Sequence, residues 1–198
     1  LHLCNKNMVK MDTNNDSKAK HNLLLDVCLA AKYEGESLIN YRAQYDAEYP
    51  SDSGSTMCTM LARSFADIGD IVRGKDLYLG KKKKKQNETK TETEREKLDK
   101  NLKKIFGKIY DKLDGKIKSN YNDSEGNYYQ LREDWWALNR QDVWKALTCD
   151  EENKLGGNAY FRTTCSDERG GAQANNKCRC PKGDQVPTYF DYVPQYLR

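Results

Sequence analysis

Residues 178–198 read CRCPKGDQVPTYFDYVPQYLR, and this C-terminal stretch is the most informative part of the sequence. It begins with two cysteines, Cys178 and Cys180, that are separated by a single residue. In an extended chain the side chains of such a pair point to opposite sides, so they do not easily form a disulfide with each other. We therefore expect each cysteine to link this stretch to a distant part of the chain, and we expect the chain to be a piece of a longer extracellular protein.

The cysteine pattern favours disulfide bonds over a metal site. Beside Cys178 and Cys180, the other cysteines are Cys4, Cys28, Cys58, Cys149 and Cys165. A zinc site needs ligands clustered in short loops, but the sequence has no Cys-x-x-Cys pair and only two histidines. We therefore predict no metal site and no cofactor, and we expect disulfides formed in an oxidising compartment rather than seven free thiols. The odd number of cysteines implies that one of them has a partner outside this chain.

The composition describes a polar chain that can still build a core. Of its 198 residues, 37% are hydrophobic and 32% are charged, with 13 tyrosines and three tryptophans. The formal net charge of +4 is too small to indicate a nucleic-acid-binding protein. No stretch approaches the ~20 consecutive apolar residues that a membrane-spanning helix needs, and the first residues do not resemble a secretory leader.

Apolar residues recur at helical spacing in four segments, which predicts an all-α protein. The segments are residues 22–49, 55–72, 98–113 and 128–149. Gly35 is a position where the first helix can bend or break. Residues 115–126 are predicted to be a connection and residues 150–177 a loop, and no segment alternates in polarity long enough to indicate a sheet. The expected fold is a disulfide-linked helical bundle with long variable loops.

The last predicted helix contains every tryptophan of the chain, namely Trp135, Trp136 and Trp144. We therefore expect it to be the most buried element. Because adjacent residues on an α-helix point about 100° apart, at most one of Trp135 and Trp136 is expected to lie fully in the core.

A basic segment is the strongest candidate for a binding site, here for glycans. The candidate residues are Lys81, Lys82, Lys83, Lys84 and Lys85 in a predicted loop, and Lys97, Lys100, Lys104 and Lys108 on one face of the helix that follows. Such patches attract sulfated glycans and acidic membranes through electrostatics that salt screens. The alternative is a solvated helix face beside a charged loop that binds nothing, and nearby glutamates dilute the positive field.

No catalytic motif stands out in the sequence. It lacks a Gly-x-Gly-x-x-Gly loop, a phosphate-binding Gly-Lys-Ser loop and a His-Glu-x-x-His helix. Asp67 and Asp70 are a candidate pair for acid–base chemistry. They are better explained as acids on the solvent side of an amphipathic helix, or as acids that bond a loop. We therefore predict that the chain is not an enzyme and has no catalytic residue.

Five blocks of sequence carry a family resemblance. They are LHLCNKN (residues 1–7), LLLDVCLAAKYEG (23–35), ARSFADIGDIVRG (62–74), DWWALNR (134–140) and the stretch 178–198. In this order, the blocks resemble the Duffy-binding-like domains of malaria parasites. They look most like the alpha-type domain at the head of erythrocyte membrane protein one, the variant adhesin on infected red cells. Residues 81–96 and 150–177 lie where such domains vary.

The resemblance implies a helical domain of three subdomains. Residues 1–28 would form the end of the first subdomain and residues 29–198 the second, with the third absent from this chain. The domain would lie on the extracellular face of the infected host-cell membrane, as part of the ectodomain of a large membrane-anchored chain. Its implied partners are erythrocyte or endothelial surface receptors, heparan sulfate or blood-group glycans, host antibodies and neighbouring domains of the same chain.

The resemblance also bears on the cysteines. In the family, the cysteine that matches Cys4 pairs with one upstream of residue 1, which leaves six cysteines within this chain. The cysteine that matches Cys58 pairs with one near the Cys-Arg-Cys segment, which implies a bond from Cys58 to Cys178 or Cys180. Still open is how the other partner is shared among Cys28, Cys149 and Cys165.

Two functions remain in view from the sequence. The first is an adhesion module that binds a host surface protein or glycan and mediates cytoadherence or rosetting, the adhesion of infected to uninfected red cells. The second is an antigenically variable spacer that positions a neighbouring receptor-binding domain. Exposed charged loops between aromatic-rich helices suit both functions, because loops tolerate sequence change when the core does not.

Overall fold

The computed structural model describes residues 6–10, 19–48, 57–77, 93–167, 170–183 and 185–198. Within these residues the chain is mostly helical, which confirms the predicted fold class. The α-helices are α1 (Lys6–Val9), α2 (Ala19–Glu48), α3 (Met57–Arg73), α4 (Glu94–Asp111), α5 (Gly115–Lys118) and α6 (Tyr129–Leu147). None of the helices in these ranges is long and apolar enough to cross a membrane.

Helix α2 is a single 30-residue helix that continues through Gly35, where the sequence suggested a bend or break. A Cβ atom at Gly35 would lie 2.0 Å from the carbonyl oxygen of Leu147, at the end of α6. The glycine therefore lets α2 and α6 come close together rather than ending the helix. The predicted subdomain boundary between residues 28 and 29 falls inside α2 and stays a prediction.

Aromatic rings form the core between α3 and α6. The ring centroid of Phe65 lies 5.1 Å from that of Trp136 and 5.2 Å from that of Trp144. One turn further along α3, a Cβ atom at Gly69 would come 2.8 Å from the Trp136 ring. Because tilted and edge-on ring pairs add about 0.5–1.5 kcal/mol each beyond the area they bury, these contacts fix α3 firmly against α6.

Both adjacent tryptophans are buried, whereas the sequence predicted that at most one lies fully in the core. Trp135 is 3% exposed and Trp136 is 0% exposed. Their rings do point in different directions, but both directions are covered. Helix α3 covers Trp136, and Phe106 of α4 packs edge-on against Trp135 with 6.1 Å between ring centroids. Helix α6 therefore lies between two other helices, which a single stripe of apolar residues does not reveal.

Helix α4 begins with a capping box. The Thr93 side chain accepts a hydrogen bond from the backbone N–H of Glu96, and the Glu96 carboxylate accepts one from the backbone N–H of Thr93. The predicted apolar stripe of this helix is buried and comprises Leu98, Leu102, Ile105, Phe106 and Ile109. The basic residues of α4 therefore lie on its other faces.

Two regions predicted to be irregular contain short regular elements. The 115–126 connection includes α5 and the 3₁₀ helix Ser119–Tyr121. The 150–177 loop includes β1 (Cys165–Asp167) and β2 (Gly170–Ala172), which pair antiparallel. The structure therefore contains one small hairpin where no segment of the sequence indicated a sheet. Strands of three residues are too short to show alternating polarity.

Candidate functional site

Two disulfides fix the C-terminal stretch 178–198, one to helix α3 and one to strand β1. Cys58, near the start of α3, is bonded to Cys178 across 120 positions of sequence. Cys165 of β1 is bonded to Cys180 across 15 positions. Closing a loop as long as the first one stabilises a fold by up to about 4–5 kcal/mol in the chain-entropy description. The family resemblance implied that Cys58 pairs with Cys178 or Cys180, and in the structure its partner is Cys178.

The remaining cysteines of the described residues are free thiols. Cys28 on α2 and Cys149 after α6 are both half-buried. Burial, with a smaller contribution from the nearby charge of Asp142, raises the pKa of the Cys28 thiol to about 11. Cys28 is therefore protonated and unreactive at neutral pH. Cys4, predicted to pair outside the chain, lies outside the described residues.

A buried aspartate anchors the C-terminal segment, residues 185–198, to α6. Asp191 is 1% exposed and lies in the 3₁₀ helix Phe190–Tyr192. Its carboxylate accepts hydrogen bonds from Trp136 Nε1 at 2.9 Å and from Arg140 at 2.8 and 2.9 Å. Charge-assisted bonds of this kind are stronger than neutral ones, so this contact fixes the C-terminal segment over the tryptophan.

The last residue of the chain closes a second buried ionic cluster on α3. Arg198 lies 3.1 Å from Asp67 and 2.7 Å from Asp70. Asp70 also pairs with Arg73 at 2.9 Å, and Arg73 in turn donates to the backbone carbonyl of Asp191. Burial raises the pKa of Asp70 to about 6, against the lowering effect of Arg198 and Arg73. Asp67 and Asp70 therefore bond the C-terminal segment, which agrees with their interpretation as acids that bond a loop. Asp70 does not face solvent.

Sequence reasoning missed the buried arginines that organise this region. Arg132 of α6 is 0% exposed, donates to the carbonyl oxygens of Ile71 and Val72, and pairs with Asp99 at 3.2 Å. Arg132 and Arg140 lie four residues before and after Trp136. That spacing places all three on one helical stripe, and it was the available signal that the two arginines face the core.

The candidate lysines of α4 share one exposed ridge. Lys97, Lys100 and Lys104 are exposed and Lys108 is half-buried. Lys97 and Lys104 form no ion pair with a described residue. We call these four lysines the α4 basic ridge. The five loop lysines, Lys81, Lys82, Lys83, Lys84 and Lys85, lie outside the described residues, so their position relative to the ridge stays a prediction.

The α4 basic ridge can attract an anionic ligand, and it offers no chemistry beyond that. Ammonium groups act as hydrated point charges whose field is screened within about 8 Å at physiological salt. Among the residues that the structure describes, no group of histidine, cysteine or acidic side chains has an arrangement that could hold a metal ion.

Comparisons with known proteins agree with this architecture. The family model described as Duffy binding domain matches residues 1–198, whereas no curated protein matches the chain. Among solved structures, the DBLb domain of a PfEMP1 protein bound to human ICAM-1 is 31% identical with a TM-score of 0.59. The match covers 89% of this chain but only 30% of that one, and the alpha-type assignment stays a prediction. The chain belongs to the Duffy binding domain family.

Proposed function

We propose that this chain is part of a host-receptor adhesion domain on the surface of a malaria-infected red cell. The observation that carries the proposal is the 31% identity, over 89% of this chain, to a domain solved in complex with human ICAM-1. That solved chain is much longer than the matching part, so the test below includes other host surface molecules beside ICAM-1. Adhesion requires no catalytic group, in keeping with the sequence prediction of no enzyme activity.

The architecture supports such a role because it separates a fixed core from exposed surfaces. One disulfide joins Cys178 to α3 and another joins Cys180 to β1, and two buried ionic clusters hold the C-terminal segment on α3 and α6. Exposed residues such as those of the α4 basic ridge can then change without loss of the fold. An adhesin that varies its surface sequence benefits from this separation.

The finer proposal is that the α4 basic ridge and the loop lysines 81–85 contact sulfated glycans on host cells. The exposed, unpaired Lys97 and Lys104 support it, since their charge is not neutralised by a described acid. A role in rosetting would follow if the glycan is one that uninfected red cells carry.

The test is binding of the chain to a glycan array and to an array of immobilised human endothelial and erythrocyte surface proteins, including ICAM-1. An adhesion domain binds at least one protein or glycan saturably, and unlabelled chain competes with it. A spacer that only positions a neighbouring domain binds nothing on either array. The second result would overturn the proposal in favour of the spacer function.

A further inference from the structure

A cavity of about 370 Å³ lies beside α3. Its walls come from α3, from residues 160–164 and from residues 188–193, and none of its lining residues is acidic. The residues that matter here are Arg63, Tyr160, Phe161, Arg162 and Tyr189. The volume falls at the lower end of the range of about 300–1,000 Å³ that is usual for ligand pockets.

Two arginines at this cavity differ from those in the core. Arg63 and Arg162 are both exposed, and neither forms an ion pair or hydrogen bond with a described residue. By contrast, Arg73, Arg140 and Arg198 each pair with an aspartate. The guanidinium of Arg162 lies 5.1 Å from the Phe161 ring centroid, and this stacking holds it beside the aromatic wall. The cavity therefore carries two uncompensated positive charges at its edge.

The walls of the cavity are apolar and already fixed. The Tyr160 hydroxyl donates to Thr188 Oγ1 at 3.1 Å, and the Thr164 hydroxyl donates to the backbone carbonyl of Pro187. These polar groups are thus used within the protein. Phe161 and Tyr189 lie beside the Arg162 and Arg140 guanidinium groups, respectively, and each ring remains 56% exposed to solvent.

This combination favours one class of ligand. A neutral sugar needs free acceptors as well as donors, and the Tyr160 and Thr164 hydroxyls are already used within the protein. A single apolar side chain fits a small aromatic-lined cavity, and carboxylates on either side of it would meet the two free guanidinium groups. Aromatic side chains and arginine are also the residues that dominate binding energy at protein interfaces.

We propose that this cavity binds an acidic segment of a partner protein, with one apolar or aromatic side chain inserted and its neighbouring carboxylates paired to Arg63 and Arg162. The inference rests on the proposed adhesion function and adds to it a site and the chemistry of the bound segment. It places protein recognition on α3, at a site that no residue of the α4 basic ridge lines.

The experiment measures fluorescence anisotropy of a labelled pentapeptide in which phenylalanine is flanked on each side by two glutamates. Two further peptides replace the phenylalanine by serine or the glutamates by glutamine. The chain is tested as wild type, as the double variant Arg63→Gln/Arg162→Gln, and as the control Lys116→Gln/Lys145→Gln, which removes two exposed positive charges elsewhere. Thermal melting of each variant checks that the fold is unchanged.

Wild type and control are expected to bind the phenylalanine–glutamate peptide equally, and the arginine variant at least about tenfold more weakly, as loss of two charge-assisted contacts predicts. Both altered peptides should also bind more weakly. Equal binding by the arginine variant and the control would overturn the proposal, as would equal binding of the serine peptide. A lower heparin affinity of the arginine variant without peptide binding would instead assign the site to a sulfated glycan.

Adhesion itself is measured in parallel, so that failure of the cavity proposal can be distinguished from failure of the adhesion function. If wild type and the arginine variant bind a receptor found on the arrays equally well, the adhesion function stands and the cavity is not its site. If the chain binds the peptide with the stated selectivity but no receptor, the cavity assignment stands and the adhesion function fails.

Discussion

At the scale of single residues, the fold depends on positions where two backbones or charges meet closely. Gly35 is the tightest of these, because a Cβ atom there would overlap the carbonyl oxygen of Leu147. Glycine inside a helix normally costs about 0.5–1 kcal/mol relative to alanine. At Gly35 this cost is offset because the missing side chain lets α2 and α6 come into contact.

Substitution of Gly35 by alanine is therefore expected to reverse the usual helix-propensity effect. Because backbone rather than a flexible side chain lies in the way, Gly35→Ala should lower the free energy of unfolding by about 1–3 kcal/mol or more. The matched control is Gly115→Ala in α5, where a Cβ atom would have nothing within 4 Å. Urea titration followed by tryptophan fluorescence measures both. Stabilisation by Gly35→Ala would mean that the two helices do not approach in this way.

The buried Asp70 predicts an unusual dependence of stability on pH. Its pKa is raised to about 6 in the folded chain, chiefly by burial, from an ordinary value of 3.8. The folded state then holds the proton more tightly than the unfolded state, so this group's contribution to stability is full below about pH 4 and is lost as the pH rises through 6. As the pH rises from about 4 through 6, the free energy of unfolding of wild type should therefore fall relative to that of Asp70→Asn. A shift in favour of wild type would show that the pairs with Arg198 and Arg73 outweigh burial.

Single residues were also where sequence reasoning was weakest. The blocks that hold Asp67, Trp136 and Arg140 identified the family, but not which of these side chains contact one another. Burial of a charged residue depends on partners that are distant in sequence, such as Asp191 for Arg140. Residue type alone assigns a charged side chain such as that of Arg140 to the surface, even where its helical spacing aligns it with a core residue.

At the scale of elements, α6 organises the bundle because it is covered on more than one side. Trp136 packs against α3 and Trp135 against α4. The four long helices were predictable, because apolar residues recur at three- and four-residue spacing over several turns in each. The hairpin and α5 were not, because elements of three or four residues carry too little periodicity to register.

Truncation of the buried tryptophan tests the packing of α6. Trp136→Ala should lower the free energy of unfolding by about 3–5 kcal/mol, because it leaves a cavity beside Phe65 and removes the donor to Asp191. Leu138→Ala is the control on the same helix, since Leu138 is 78% exposed and its loss should matter by less than about 0.5 kcal/mol. Thermal denaturation of both variants provides the comparison. Similar melting temperatures would contradict the central place of α6.

The α4 basic ridge makes a separate prediction at the same scale. Replacing Lys97 and Lys104 by serine, or all five lysines of residues 81–85, should lower the salt concentration at which the chain elutes from heparin. Lys116→Ser/Lys145→Ser removes the same charge as the α4 pair from exposed sites elsewhere and should elute close to wild type. The reason is that exposed charges act only within about 8 Å at physiological salt, so position counts as well as number. Elution of all variants at the same salt would leave the ridge as a solvated surface.

At the scale of the whole molecule, both ends of the C-terminal stretch 178–198 are attached to α3. The Cys58–Cys178 bond joins α3 to the start of this stretch, and Arg198, at the end of the stretch, pairs with Asp67 of α3. Between these two points Asp191 binds α6. The sequence predicted that the stretch is linked to a distant element, and the family resemblance narrowed the partner of Cys58. The ionic contacts that complete this attachment came only from the structure.

This arrangement implies that the proposed adhesion depends on the disulfides. Closing the long loop contributes up to about 4–5 kcal/mol, which is a large share of the stability of a typical domain. A chain reduced and alkylated at its cysteines should therefore lose any binding that needs a folded surface. The same chemistry leaves the lysines intact, so purely electrostatic attachment should survive it.

The most direct measurement is flow cytometry of the fluorescently labelled chain on intact human red cells and endothelial cells, with the reduced and alkylated chain as the matched control. A folded adhesion domain predicts saturable binding to at least one cell type that unlabelled chain displaces and that reduction abolishes. No binding to either cell type would contradict the adhesion function proposed for this chain, and equal binding before and after reduction would contradict adhesion through a folded surface.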